Sequence, residues 1–458
     1  MFIGREEELK TITTALNNKS KHVLIYGNRR VGKTTLAIEA TKRVEDAIFI
    51  NYECKKDSLD SNAKALSRLL VDVGLVSTYI PFDSLEAVFS FVDSLNKHVI
   101  ILIDEYPYLY AETKKDLVDS IFQIIIDQHS KNLNIILSGS HIGMMTSLLK
   151  YDNSLFGRFS VYLQVQELDY YDASKFYPNL SNYDKAAFYA VFGGSPFVLS
   201  QLDYTKSLEE NIKDTYLNNN SAIGLFLSEG YTSDLSTKDY ANKIFSVLGN
   251  SRLKYTKLEE DLGLDKNGLL SKQLKTLLDM NFIGKNSPIN KQDDKKKVTY
   301  YIKSNALRFF YCYVYEKQNK LIELGKDKFF DVYVNKSLLT FISYRFEGIV
   351  SQFISRAIKA DIIKDAQDLG TYYYDDAKAK TNGEFDVVIK TEEAFSVIEA
   401  KYLKDRVSQK LIDKEIEQVR NIKELKVDKM GFASINGFDE DVEKLDYMFD
   451  GNDIYFIN

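Results

Sequence analysis

One eight-residue run constrains this chain more than any other. Gly27-Asn28-Arg29-Arg30-Val31-Gly32-Lys33-Thr34 fits G-x-x-x-x-G-K-[ST]. Its glycines let backbone N–H groups converge on phosphate oxygens. Lys33 supplies a point charge to the β and γ phosphates, and the Thr34 hydroxyl is a ligand for Mg2+. Thr35 extends the run into the next turn. In a chain of this composition the pattern is expected by chance roughly 0.02 times. Its setting fits the mechanism. The apolar run His22–Tyr26 precedes it, and a helical pattern with Leu36, Ala37 and Ala40 on one face follows. The positive end of that helix points at the anion.

Such a cradle needs a parallel sheet, and the following residues predict one. Ala47–Asn51, Val99–Ile103 and Leu133–Leu137 read as short apolar strands, separated by helical patterns over 58–74, 84–97 and 113–130. Continuous apolar strands alternating with helices indicate a sheet covered on both faces. Acidic residues ending a neighbouring strand would complete the site. Val99–Ile103 leads directly into Asp104 and Glu105. Asp104 would hold Mg2+ through water, and Glu105 would orient or deprotonate the attacking water. The fourth strand ends in Ser138-Gly139-Ser140, where Ser138 is either a γ-phosphate sensor or part of a plain strand-terminating turn. Arg158 is either a stabiliser of transition-state charge, in cis or across subunits, or a solvated arginine.

Composition narrows the classes. A length of 458 residues predicts about three domains. With 5 Pro and 22 Gly, long flexible linkers are not expected, so the domains should abut. The net charge of −6 gives no global push toward nucleic acid, so any such contact must be a local patch. Two cysteines, Cys54 and Cys312, cannot build a disulfide framework or a four-thiolate zinc site. No apolar leader follows Met1 and no run approaches a membrane span, so a cytoplasmic location and no membrane contact are expected.

Taken together, Phe2-Ile-Gly-Arg-Glu-Glu-Glu-Leu9, the Gly27–Thr35 loop, Ile103-Asp-Glu105, Ser138-Gly-Ser140 and Gly157-Arg158 resemble the archaeal-type ATPase family. This is an AAA+-related branch of P-loop (Walker A) NTPases near the STAND group. Gly193-Gly194-Ser195-Pro196 resembles its helical-lid segment. The resemblance covers roughly residues 1–235. It implies ATP as the nucleotide, hydrolysed to ADP and phosphate; the loop itself reads only phosphates.

Beyond residue 235 the pattern changes. Helices at Tyr240–Leu248, Thr256–Leu262 and 266–280 precede Phe282-Ile283 and Val298–Ile302, which flank a turn with Lys285, Lys291, Lys295, Lys296 and Lys297. Three helices and a hairpin is the winged-helix order. Its lysines, with Lys266, Lys272 and Lys275, read either as DNA-backbone contacts or as a solvated face of an internal hinge. In the last third a helix over 338–359 carries Glu347, and strands follow near Tyr372–Tyr374, Phe385–Ile389 and Phe395–Ala400. A helix over 407–424 and short strands near 430–435 and 453–457 end the pattern. Glu399 and Lys401 lie two apart on one strand and so share a face. Asp386 on the neighbouring strand would join Glu399 in holding Mg2+, with Lys401 polarising the attacking water, Glu347 as a further ligand and Gln418 orienting the site. This order resembles the restriction-endonuclease-like PD-(D/E)xK core, over roughly 336–458. The alternative is a salt-bridge cluster.

The expected fold class is therefore α/β. It comprises a P-loop ATPase core (1–170), a helical lid (171–235), a winged helix (236–305), a helical connector (306–335) and a restriction-endonuclease-like domain (336–458). The expected function is an ATPase driving or gating a nuclease-like effector that acts on DNA. The alternative is a nucleotide-switched regulator or scaffold whose last domain only binds a protein partner or another copy of the chain.

Overall fold

The computed structural model describes residues 2–218, 220–230, 238–263, 268–376, 381–422 and 425–456. Two compact units emerge, Met1–Glu167 and Leu168–Asn458.

The first unit is built on five strands: β1 (Val23–Tyr26), β2 (Ile48–Glu53), β3 (Val99–Asp104), β4 (Leu133–Gly139) and β5 (Val161–Gln164). They are all parallel, in the order β2-β3-β4-β1-β5. Every residue of β3 and β4 is buried, in keeping with their largely apolar sequences. Alternate residues feed opposite faces. Ile100 and Leu102 pack with Leu9, Ile12 and Leu16 of α1 (Glu6–Leu16) and Leu36, Ala37 and Ala40 of α2 (Lys33–Thr41). Ile101 and Ile103 pack with α3 (Leu59–Asp72), α4 (Leu85–Ser94) and α5 (Lys115–Gln128). Ser58 and Ser84 cap α3 and α4, accepting from the N–H of Ser61 and Ala87. Strand β5 is absent from the sequence reading. It is a half-buried edge strand of four residues, too short and too mixed to show a period.

The second unit starts with helices between Tyr170 and Gly230. Leu168 N–H donates to the Gly194 carbonyl, and a Cβ at Gly194 would lie 1.8 Å from the Leu168 oxygen, so only glycine fits this approach. The helix Lys238–Asn250, β6 (Leu253–Lys254), helices Tyr255–Asp261 and Leu269–Asp279, β7 (Ile283–Asn286) and β8 (Thr299–Ile302) follow. Lys266 lies outside the described residues. The three strands form an antiparallel sheet, β6-β8-β7. Helix Asn335–Lys359 then leads to β9 (Asp368–Asp376), β10 (Thr381–Lys390), β11 (Phe395–Lys401), β12 (Val427–Ser434) and β13 (Tyr447–Phe449). Their order is β13-β12-β11-β10-β9, antiparallel from β9 to β11 and parallel from β11 to β13. Helix Gln409–Arg420 makes the crossover between β11 and β12. One core runs through the unit from Leu168 to Tyr455, with Phe245, Phe309, Phe346 and Phe353 inside it. The strand expected at 453–457 is instead the helix Gly451–Tyr455, because Asp450 and Asp453 form a capping box; the final strand is Tyr447–Phe449. Among the described residues no helix is long and apolar enough to cross a membrane.

His22, at the foot of β1, is 4% exposed. Its Nδ1 accepts the Ile135 N–H at 3.2 Å, and its Nε2 faces Ser130 Oγ at 3.3 Å. Burial, helped by Lys21, lowers its pKa from 6.5 to about 4. The folded state thus binds fewer protons than the unfolded chain. The stabilisation is present above pH 6.5 and is lost as pH falls toward 4, about 3 kcal/mol at full extent. Urea unfolding of the full chain across that window should show a steeper loss for the wild type than for His22→Gln. Equal slopes would refute the assignment.

Candidate functional site

Parallel strands bring their C-terminal ends to one edge, and the phosphate loop sits there after β1. Gly27 is fixed by crowding: a Cβ would lie 2.2 Å from the Val165 carbonyl oxygen. Gly32, at φ 91°, opens α2 from the left-handed region. Lys33 is buried, and its Nζ donates to the carbonyls of Gly27 and Asn28, both at 3.0 Å. It therefore lies folded across its own loop. Val31 is buried, Asn28 and Arg29 are half-buried, and Arg30 and Thr35 are exposed.

Thr34 Oγ1 donates to Asp104 Oδ2 at 2.5 Å, while Asp104 Oδ1 accepts the Glu105 N–H at 3.0 Å. A hydroxyl and a carboxylate in contact beside a phosphate loop are an oxygen donor pair suited to a hard cation such as Mg2+. Glu105 sits at φ 50°, directly after β3. Its carboxylate is taken by Ser140, whose Oγ donates at 2.9 Å and whose N–H donates at 3.2 Å. The sequence reading passed over Ser140, although it lies two residues beyond Ser138. Ser138 is inside β4 rather than in a turn. It pairs with Ile25, is fully buried, and its hydroxyl has no hydrogen-bond partner among the described residues.

Arg5 is a second residue whose role the sequence did not reveal. It is 5% exposed, and its Nη2 donates to the carbonyls of Val31 at 2.8 Å and Gln166 at 2.6 Å. It braces the phosphate loop from behind. Arg158, by contrast, does not reach the loop of its own chain. It forms a bidentate pair with Asp127, at 2.9 and 2.8 Å, near the end of α5. Ser160, two residues on, donates to the His22 carbonyl at the foot of β1. The full length of β1, roughly 13 Å, separates that end from the loop. Arg158 therefore does not stabilise charge in cis in this arrangement; a surface arginine paired with Asp127, or a role toward a neighbouring copy, is left.

The second unit gathers a separate polar cluster. Glu399 and Lys401 share a face of β11, and Lys401 Nζ lies 3.3 Å from Glu399 Oε2. Glu415, on the helix Gln409–Arg420, also pairs with Lys401 at 2.9 Å. Gln418 instead donates to the Tyr374 hydroxyl and is not an orienting group for these carboxylates. Asp386 sits where the β9–β10 register shifts, between Phe385 and Val388. Such a bulge re-aims side chains. Burial first, then Asp386, raises the Glu347 carboxyl up to about 8.

The charge facing this patch comes from Arg252, just ahead of β6. Its guanidinium lies 3.1 Å from Asp386, 3.8 Å from Glu347 and 3.6 Å from Glu384. Nothing local in the sequence marks it. The expected metal set of Glu347, Asp386 and Glu399 does not assemble: among the described residues no three His, Cys, Asp or Glu side chains are placed to hold a metal ion. A guanidinium neutralises the carboxylates there. The hairpin is also committed in part. Ile289 N–H donates to Thr371 O, and Lys297 lies 3.8 Å over the Tyr373 ring of β9, while Lys285, Lys291, Lys295 and Lys296 are exposed.

Residues 2–202 match the family described as an ATPase domain predominantly from Archaea. The first unit is thus similar in sequence to this archaeal ATPase family. Residues 310–418 match a second family, of archaeal and bacterial proteins of unknown function. The chain is 29% identical over 363 residues to the uncharacterized protein MJECL04 of Methanocaldococcus jannaschii, spanning 77% of each. Among solved structures, the Walker-type ATPase PABY2304 of Pyrococcus abyssi is similar in fold, with a TM-score of 0.51 and 18% identity, over 68% of this chain and 96% of that one. The ATPase unit is thus a P-loop NTPase sheet, and a mixed α/β unit follows it.

The Arg5 brace makes a direct prediction for the ATPase unit. Arg5→Ala removes the hydrogen bonds to the Val31 and Gln166 carbonyls together with the Glu8 contact, and should cost about 2 kcal/mol in stability. Calorimetry should also show nucleotide binding weakened by about tenfold. Unchanged affinity would separate Arg5 from loop geometry.

Proposed function

We propose that the chain binds ATP at Gly27–Thr35 and hydrolyses it to ADP and phosphate, using the energy or the bound state to control its second unit. The observation that carries this is the joining of Thr34 to Asp104, with Glu105 adjacent, at the mouth of the phosphate loop. When bound, Mg2+ supplies charge neutralisation for the phosphates, with Thr34 and Asp104 as the residues that would hold it. Lys33 exchanges the Gly27 and Asn28 carbonyls for phosphate oxygens. Glu105 orients or deprotonates the attacking water once it leaves Ser140, so Ser140 sets how readily the base is released. Ser138, buried near the end of β4 with a hydroxyl unpartnered among the described residues, is the proposed γ-phosphate sensor.

Three variants test this. Lys33→Ala should abolish ATP binding. Glu105→Gln should bind ATP normally yet release phosphate at least about 100-fold more slowly. Ser140→Ala should alter turnover while leaving affinity unchanged. ATP affinity that survives Lys33→Ala would overturn the reading.

For the second unit we infer a nuclease-like effector acting on DNA, with a winged-helix segment whose exposed lysines contact the backbone. Favouring it are Asp386, Glu399 and Lys401 on neighbouring strands, with Glu347 beside them. Activity there requires Arg252 to give up the carboxylates. The alternative is an inactive interaction module whose cluster is a salt-bridge network, or which binds a protein partner or a second copy of the chain. Incubating plasmid and single-stranded DNA with ATP and Mg2+ separates the two. Cutting that is lost in Glu399→Ala supports the nuclease. No cutting by the wild type favours the module.

A further inference from the structure

Beside the carboxylate patch lies a cavity of about 400 Å3, lined by Arg252, Arg308, Arg345, Asn286, Glu347 and Asp386 among others. Arg345 is 5% exposed. Its Nη1 donates to the Phe341 carbonyl at 3.2 Å, and its guanidinium stacks 4.1 Å from the Phe341 ring. Its Nε and Nη2 are buried with no hydrogen-bond partner among the described residues. Arg308 reaches the Gly249 carbonyl through Nε at 3.4 Å, and among the described residues neither arginine makes an ion pair. Glu347 and Asp386 are engaged by Arg252. Burial, and then the neighbouring arginines, lower the pKa of Arg308; burial takes Arg345 to about 10, so it still carries charge at neutral pH.

Two like charges beside one cavity, one of them with N–H groups unpartnered among the described residues, are costly unless an anion joins them. Guanidinium forks match phosphate oxygens in shape and charge. The volume is that of a nucleotide-sized ligand rather than a duplex. We propose that this cavity is a phosphate-ester site, in which Arg308 and Arg345 hold the phosphate beside Glu347 and Asp386. The ester is the end of a single nucleic-acid strand. That choice of source rests on the nuclease reading of the neighbouring carboxylates; the anion site itself does not.

The test uses the full chain carrying Lys33→Ala, which silences the phosphate loop, and is run in EDTA so that binding is read without cleavage. Calorimetry compares inorganic phosphate, AMP, a single-stranded dT decamer and the same decamer with a 5′-phosphate. The expected result is that the 5′-phosphorylated decamer binds at least tenfold more tightly than the plain one. Arg345→Met and Arg308→Met should each remove that difference, and Arg345→Lys should restore part of it. Preferential binding of AMP, lost in the same variants, would retain the phosphate-ester site and overturn the strand as its source. Without ligand, Arg345→Met should raise the urea midpoint, because an unpaired buried charge is gone. A folded but less stable variant would mark Arg345 as a structural prop and overturn the site. So would the absence of binding by every probe, or binding that the variants leave unchanged. A chain that binds the phosphorylated strand but never cuts DNA would sink the nuclease reading alone.

Discussion

The parallel direction of the five strands in the first unit is the constraint on which its chemistry depends. Because β1, β3 and β4 run the same way, the loop after β1, the carboxylates after β3 and the serines at the end of β4 arrive at one edge. No long-range side-chain recognition has to assemble them. Apolar packing of Ile100 to Ile103 on both faces fixes the register, and register fixes which polar residue meets which. The contact of Thr34 with Asp104 joins residues 70 apart in sequence through strand alignment alone.

The second unit uses charge in a different way. Its sheet carries Glu384 and Asp386 on β10 and Glu399 on β11; Arg252, from outside that sheet, meets the first two, and Lys401 of β11 itself meets the third. Arg252 meets three carboxylates, whereas Arg308 and Arg345 meet none among the described residues. Buried cations and anions are thus unevenly matched across one wall of a cavity. A core built for stability alone would be filled with apolar groups at these positions.

The sequence made the ATPase edge legible because its signals are local. A glycine loop, an apolar strand and an acidic pair each announce themselves within eight residues. Ser140 escaped notice because its partner Glu105 lies 35 residues away, and Arg5 because it acts on backbone carbonyls rather than on a motif. For Arg158 the motif context left a role in cis, a role across subunits and a solvated arginine open, and only strand order, which places it at the far end of β1, removes the first. In the second unit the Glu399–Lys401 spacing was readable. Arg252 was not, since it comes to Asp386 from a position 134 residues earlier, and nothing in Ser251-Arg252-Leu253 signals a distant carboxylate.

The Arg252 clasp adds a charged tie between a long helix and a sheet strand that also share apolar contacts. The cost of drying ions falls as temperature rises, while apolar burial gains little more. The Arg252 tie between helix Asn335–Lys359 and β10 responds to salt, whereas the Phe-rich core around it does not.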